Sequence, residues 1–260
     1  MDQELNVALL QLDLVWQDPV ANIEQIENLI SQIDQAVDLI VLPEMFTTGF
    51  SMDARNLAQP DLGPTLGWMI GLAASRQSAI CGSLIIEAEG NYYNRFYLVT
   101  PSGEVHRYDK RHTFTLAGED RVYKSGQDQV LIEYKGWRIL PQICYDLRFP
   151  VWVRNTMEYD LVLYVANWPG KRILAWDSLL RARAIENMAY CIGVNRVGVD
   201  ANGHHYPGHS AAYDELGAIL TEEQFEVSGI QYALLDHSKM HSTRQKLRFL
   251  DDRDRFSLQV

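Results

Sequence analysis

Two hydrophobic periods alternate along the chain. Residues 7–12 form a short apolar run, and after the turn-like Gln17-Asp18-Pro19 the residues Ile23, Ile26, Ile30, Ile33 and Val37 recur at helical spacing. Asp18 can cap that helix, and Pro19 suits its first turn, where a missing amide donor costs nothing. Residues 39–42 are continuously apolar, as in parallel strands covered on both faces. The three segments predict a βαβ unit. Further strands are predicted at 79–86, 93–100, 104–108, 129–134, 138–143, 161–165, 190–197, 210–214, 218–221 and 231–235, several joined by turns such as Ser102-Gly103 and Lys135-Gly136. Pro141 weighs against the strand that contains it. Ile173, Trp176, Leu180 and Ala184 predict a helix ending near Ala189. No repeat, linker or charge block divides the chain, so the reading is a single α/β domain over 1–260, with the charged residues 241–260 as a peripheral C-terminal arm.

Composition narrows the class. A chain of 260 residues fits one large domain and is long enough to bury a substantial core without disulfide staples. With 47% hydrophobic and 22% charged residues it is too apolar for disorder. Asp and Glu number 34 against 23 Lys and Arg, a net charge of −11 that would repel a phosphate backbone, and no basic patch in the sequence offsets it. Nucleic acid is therefore not an expected partner. The start, Met1-Asp2-Gln3-Glu4, is acidic where a signal peptide would be basic, and no apolar run approaches the ~18 residues of a membrane span. A cytoplasmic protein without membrane attachment is expected. Cys81, Cys144 and Cys191 are odd in number and widely spaced, which suits neither a disulfide framework nor a four-ligand zinc site. Gly203, Pro207 and Gly208 interrupt any helical arrangement of His204, His205 and His209, so these read as a polar loop and no metal is assigned. Cys81, Cys191, Trp16, Trp137 and Trp176 are read as core, and Trp168, beside a proline at a strand end, as a candidate for a cleft wall.

Three predicted strands end on a group with chemistry: Pro43-Glu44 after 39–42, Asp109-Lys110 after 104–108, and Cys144 after 138–143. Ligand sites of α/β sheets gather at the carboxyl ends of strands, so the three are expected to converge in one cleft. Taken singly, Glu44 reads as a solvated loop carboxylate, Lys110 as a surface charge in Lys110-Arg111-His112, and Cys144 as a small buried hydrophobe. Together they permit nucleophilic acyl transfer. A thiol of pKa ~8.5 needs a base to take its proton or a cation to favour the thiolate, and Glu44 and Lys110 supply one each. Burial or a second carboxylate, for which Glu119 is the candidate, raises a Glu toward ~6–7, where proton exchange is efficient. The Lys110 ammonium and the backbone N–H of Tyr145 are candidate oxyanion donors. A protease-like pairing of Cys144 with His112 fits less well, and His112 is read as structural.

Leu42-Pro43-Glu44-Met45-Phe46, Tyr108-Asp109-Lys110-Arg111-His112-Thr113-Phe114 and Ile143-Cys144-Tyr145-Asp146-Leu147-Arg148-Phe149-Pro150 resemble, in order and separation, the three motif regions of the nitrilase (carbon–nitrogen hydrolase) superfamily. Asn167-Trp168-Pro169, Arg183-Ala184-Ile185-Glu186-Asn187 and Asn195-Arg196 extend the resemblance, which runs from about Val7 to about Leu235. It implies an α-β-β-α sandwich that pairs into a homodimer, and a cofactor-free Glu-Lys-Cys triad carried by Glu44, Lys110 and Cys144. An auxiliary glutamate maps onto Glu119 in Ala117-Gly118-Glu119. The stretch from Glu44 to Phe50, the Cys144 segment and Ala166-Asn167-Trp168-Pro169 most resemble the bacterial omega-amidase branch, which deamidates α-ketoglutaramate and α-ketosuccinamate. The expected substrate is thus a small ω-amide with a carboxylate. Arg148 and Arg172 are candidates to read that carboxylate, and Phe50 and Trp168 to flank the carbons between. The alternatives are an N-carbamoyl amino acid hydrolase or another small-amide hydrolase of the same family, or a catalytically silent binding or regulatory relative; the last would have no chemical reason to keep Glu44, Lys110 and Cys144 together.

Overall fold

The first βαβ unit forms as its periodicity requires. In the computed structural model, which describes residues 4–259, β1 (Glu4–Gln11) leads through α1 (Pro19–Ser31) to the parallel β2 (Leu39–Val41). Asp18 Oδ1 accepts the Ala21 N–H at 3.0 Å and Pro19 opens the helix. The helix stops at Ser31, and Ile33 reaches the same core from the turn that follows. Met1 to Gln3, on which the reading of an acidic start partly rests, lie outside the described residues, as does Val260.

The remaining elements are α2 (Ala54–Leu57), β3 (Gln59–Pro60), α3 (Pro64–Arg76), β4 (Ala79–Ala88), β5 (Asn91–Val99), β6 (Val105–Asp109), β7 (Ile132–Tyr134), β8 (Trp137–Ile143), β9 (Leu161–Ala166), α4 (Ile173–Asn187), β10 (Tyr190–Asn195), β11 (Val197–Val199), β12 (His205–Pro207), β13 (Ala211–Tyr213), β14 (Gly229–Asp236) and α5 (His237–Leu247). One sheet runs β14-β1-β2-β4-β5-β6, with β3 on the far end of β4. The other runs β13-β10-β9-β8-β7, and β11 with β12 makes a separate ribbon.

Period-two alternation sorts the first sheet's side chains to two cores. Leu5, Val7, Leu9, Leu39, Val41, Phe96 and Leu98 face the second sheet, in one cluster with Ile139, Ile143, Leu163 and Val165 and, on that sheet's other side, Trp176, Leu180 and Ala184 of α4. Ala8, Leu10, Ile40, Leu42, Tyr97 and Val99 face outward onto Ile26 and Ile30 of α1 and Leu66, Met69 and Ala73 of α3. The result is the expected α-β-β-α sandwich in a single domain. A close seam is at Gly193, where an added Cβ would lie 2.5 Å from Leu180 Cδ1, so α4 seats on β10 only because that side chain is missing.

Four local readings need correction or completion. Pro141 does lie within a strand: β7 pairs only with Trp137 to Ile139 of β8, so the proline sits past the end of that ladder. Residues 218–221 form no strand, only a single bridge from Ile219 to Tyr213, because the Ala212 N–H goes to the Thr221 hydroxyl. Helix α3 leaves no clear periodic trace in the sequence because Gly67 and Gly71 on its open side dilute the stripe Leu66, Met69, Ala73. The charged arm expected from 241 begins inside α5, whose Met240 is buried and whose Arg244 bonds the carbonyls of Tyr159 and Met188. No helix among the described residues is long and apolar enough to cross a membrane.

Candidate active site

Each of the three candidate groups stands just past a strand. Glu44 follows β2 and Lys110 follows β6 in one sheet, while Cys144 opens a 3₁₀ turn (Cys144–Arg148) directly after β8 in the other. The turn is sharp. Cys144 has φ +46°, in the left-handed region that non-glycine residues rarely occupy, and Met45 beside Glu44 has φ +44°. Asp146, fully buried, holds the turn in place. Its Oδ2 accepts the Ile143 N–H at 3.0 Å and the Tyr108 hydroxyl at 2.9 Å, and its Oδ1 accepts the His112 N–H at 2.9 Å and faces His112 Nδ1 at 2.8 Å. One carboxylate therefore ties the segment carrying Lys110 to the segment carrying Cys144. Arg183 of α4 adds a bond from Nη2 to the Leu147 carbonyl, 2.6 Å. The His112 ring stacks on Phe149 at 3.7 Å, which places it in this scaffold.

Behind the thiol lies a buried cluster of charge. Lys110 Nζ is 3.0 Å from Glu44 Oε1 and 2.9 Å from both oxygens of Glu119, with all three side chains at most 1% exposed. Asn94 Nδ2 donates to Glu44 Oε1 at 2.7 Å, the Asn167 N–H donates to Glu44 Oε2 at 2.8 Å, and the Phe114 N–H donates to Glu119 Oε2 at 2.5 Å. Burial alone would push the Lys110 ammonium down, but Glu119 and Glu44 outweigh it and hold the group charged far above neutral pH. Burial raises Glu119 above the ordinary carboxylate range, Lys110 opposes that shift, and Glu44 adds to it. The Cys144 thiol is pushed well above its usual value, first by burial and then by Glu44, with Lys110 opposing. Cys144 therefore rests as a neutral thiol. Of the two activation routes open to the sequence, removal of the proton by a base during reaction fits this balance, and a standing thiolate does not.

The thiol faces a cleft of about 840 Å³. Phe50, Lys110, Tyr145, Arg148, Trp168 and Arg172 all line it, so the structure brings together the residues singled out in the sequence, with Glu44 and Glu119 behind the floor. Asn195 clamps the backbone of Trp168, its Oδ1 accepting the Trp168 N–H at 2.7 Å and its Nδ2 donating to the Trp168 carbonyl at 2.9 Å. The guanidinium of Arg148 lies 5.0 Å over the Trp168 ring and that of Arg172 5.0 Å over the Phe114 ring. Neither has a carboxylate partner among the described residues. Trp16 departs from expectation: it is half-buried and lines the cleft, because Gly49 leaves room against its ring, whereas Trp137 and Trp176 are core. His204 and His205 form part of the cleft rim, while His209 turns away to Asp177, 3.1 Å.

Comparison with known proteins bears on this geometry. The family model described as carbon–nitrogen hydrolase matches residues 6–245. The chain belongs to the carbon–nitrogen hydrolase family. It is 47% identical over 257 residues to the omega-amidase YafV of Escherichia coli K12, covering 98% of each chain. It is 32% identical to the 2-oxoglutaramate amidase of Bacillus subtilis, covering 95% of this chain and 96% of that one. In structure it matches XC1258 of Xanthomonas campestris, a CN-hydrolase superfamily protein with an arsenic adduct in its active site, with TM-score 0.95, 40% identity and coverage of 98% and 99%. The omega-amidase branch read from the motifs is supported by these relatives, and the chain is a carbon–nitrogen hydrolase, acting on non-peptide C–N bonds.

Two supporting residues of this hydrolase were not assigned roles from sequence. Asn94 lies on β5 at the same parity as Phe96 and Leu98, so a fully buried amide on the inward face was the available signal. Asp146 stood inside a quoted motif, but nothing in the spacing tells that its carboxylate reaches back to His112.

Proposed function

We propose that this enzyme hydrolyses the terminal amide of small ω-amides such as α-ketoglutaramate, releasing ammonia and the 2-oxo dicarboxylate through a thioester on Cys144. The observation that carries the reading is the junction of a neutral thiol, a buried Glu44–Lys110–Glu119 cluster and a cleft wall with two arginines that have no carboxylate partner among the described residues. Glu44 takes the Cys144 proton as sulfur attacks the amide carbon. Lys110 and the Tyr145 N–H stabilise the oxyanion; Tyr145 is in the first turn after the strand, where amides have no intrahelical acceptor. Glu44 returns the proton to the departing nitrogen, and the C–N bond breaks to give ammonia and the acyl-thioester. Water, deprotonated by Glu44, then attacks the thioester, and sulfur leaves and regains its proton. Glu119 keeps Lys110 aimed between the two carboxylates and shares its charge.

The cleft wall supports the substrate class. A carboxylate a few carbons from the amide needs a charge-assisted partner, and Arg148 or Arg172, each stacked on a ring and without a carboxylate partner among the described residues, offers one while Phe50 and Trp168 flank the carbons. Changing the arginine that reads it to Met should raise KM for α-ketoglutaramate by roughly 10–100-fold, from ~1.5–3 kcal/mol of lost bonding, and spare a short neutral amide without the acid. Ammonia release from both amides by wild type and the two variants checks this. Equal loss on both amides, or a wild-type preference for carbamoyl amino acids, would contradict the assignment. A cytoplasmic homodimer is part of the same proposal. The exposed Leu174 and Ile185 of α4, with Leu216 beside the Gly217 that packs on Ile185, offer the apolar face.

A further inference from the structure

Away from the cleft, His237 and His241 lie one turn apart on α5, with their Nε2 atoms 3.1 Å from each other. The carboxylate of Asp160, immediately before β9, faces both: Oδ2 is 3.4 Å from His237 Nε2 and Oδ1 is 3.6 Å from His241 Nε2. We infer that Asp160, His237 and His241 bind one divalent transition-metal ion of the zinc type, which ties α5 to the sheet below it.

The spacing carries the inference. A tetrahedral ion with bonds of ~2.0–2.1 Å to imidazole nitrogen and carboxylate oxygen holds its ligands about 3.3–3.4 Å apart. The two imidazole nitrogens, 3.1 Å apart, are near that edge length, and Asp160 presents one oxygen to each, Oδ2 at 3.4 Å from His237 and Oδ1 at 3.6 Å from His241, with one ligand atom from each residue within 4.8 Å of the others. Without an ion the two imidazole nitrogens share one proton as a 3.1 Å hydrogen bond and repel if both rings are charged, whereas an ion takes a lone pair from each. The neutral imidazole is the form that ligates metal.

The surroundings supply the outer contacts that metal ligands need. Asp160 is 2% exposed; its Oδ2 accepts the Arg138 N–H at 3.0 Å and its Oδ1 accepts Arg244 Nη1 at 3.0 Å. Arg244 is itself fixed on the Tyr159 and Met188 carbonyls, at 2.7 and 2.6 Å. The His237 ring stands edge-on to Trp137, 5.0 Å between centroids. With Arg244 offsetting the single carboxylate, the site is rich in imidazole and poor in anionic oxygen, which favours zinc over magnesium or calcium. The His241 side chain is 45% exposed, leaving a fourth position to water. Asp160 is at the start of β9 and the cleft residue Asn167 is past its end, so the ion acts on the docking of α5 and not on the reaction.

The test uses the full chain with Cys144→Ser, which removes the thiol that would compete for zinc. After chelation and dialysis, Zn²⁺ is titrated by calorimetry, and thermal unfolding is followed with and without it. One Zn²⁺ per chain is expected, with Tm rising by about 5 °C or more at a hundredfold excess over Kd. Added His241→Gln or His237→Gln should weaken binding at least about tenfold and cut the rise at the same zinc concentration by about half or more, and Mg²⁺ should produce none. His241→Gln, at a partly exposed position, should keep its zinc-free Tm, so loss of binding there reports the ligand and not the fold. Absence of zinc binding in the Cys144→Ser chain, or unchanged affinity in the histidine variants, would overturn the inference.

Discussion

Cys144→Ala should lose at least about 10⁴-fold in kcat while its Tm stays within about 3 °C of wild type. The two halves of that expectation come from different atoms. Turnover needs Sγ, which faces the cleft, meets Glu44 and lies 4.0 Å from the Asn167 carbonyl. The turn is held by other groups: Asp146 on the Ile143 N–H, Arg183 on the Leu147 carbonyl, and Leu147 in the core. Alanine at φ +46° bears the same backbone strain as cysteine, so removing sulfur costs the packing of one small atom and its contact with Glu44, which keeps Asn94, Lys110 and Asn167 as partners. Ammonia release and a thermal melt on one preparation check both halves. A variant that still turns over would remove the thioester from the mechanism, and one that unfolds would make Cys144 a packing residue.

Lys110→Met should fail in two ways. Loss of an oxyanion donor costs roughly 10²–10³ in kcat with a smaller effect on KM. The same change strips the cation from between Glu44 and Glu119, both fully buried, and breaking such a pair costs ~3–5 kcal/mol, or about 10 °C in Tm. The penalty depends on pH. Glu119 is already raised by burial, and without Lys110 to oppose the shift the folded variant holds more protons than the unfolded chain at and above mildly acidic pH. Stability then falls as pH rises, so the variant should melt closer to wild type at pH 5 than at pH 8. Lys110→Arg should not restore activity, since a planar fork cannot take the place of a compact ammonium 2.9–3.0 Å from three carboxylate oxygens. A lysine on the surface would show none of this, and pH-resolved melts with steady-state rates separate the cases.

Much of the architecture was legible because burial leaves a periodic trace. The runs at 7–12 and 39–42 and the stripe from Ile173 to Ala184 became β1, β2 and α4, since each must hide one face or two. Helix α3 was not legible, because glycines on its open face carry no polar mark. The site divides along the same line. Glu44, Lys110 and Cys144 announce themselves as polar groups ending apolar strands, and their convergence follows once two sheets face each other. What the sequence withholds is the set of contacts between distant segments: Asn94 on Glu44, Asp146 on His112, and the cleft-facing position of Trp16, which depends on the bare backbone of Gly49.

The claim that Cys144 carries an acyl group from an ω-amide is tested most directly by rapid-quench intact-protein mass spectrometry of wild type mixed with α-ketoglutaramate. In acid, which stops deacylation and preserves a thioester, the account predicts a transient species heavier by the substrate less ammonia, mapped by digestion to the peptide containing Cys144. It should decay at a rate equal to or faster than turnover. Turnover of α-ketoglutaramate with no adduct at any quench time, or an adduct on a peptide without Cys144, would contradict it.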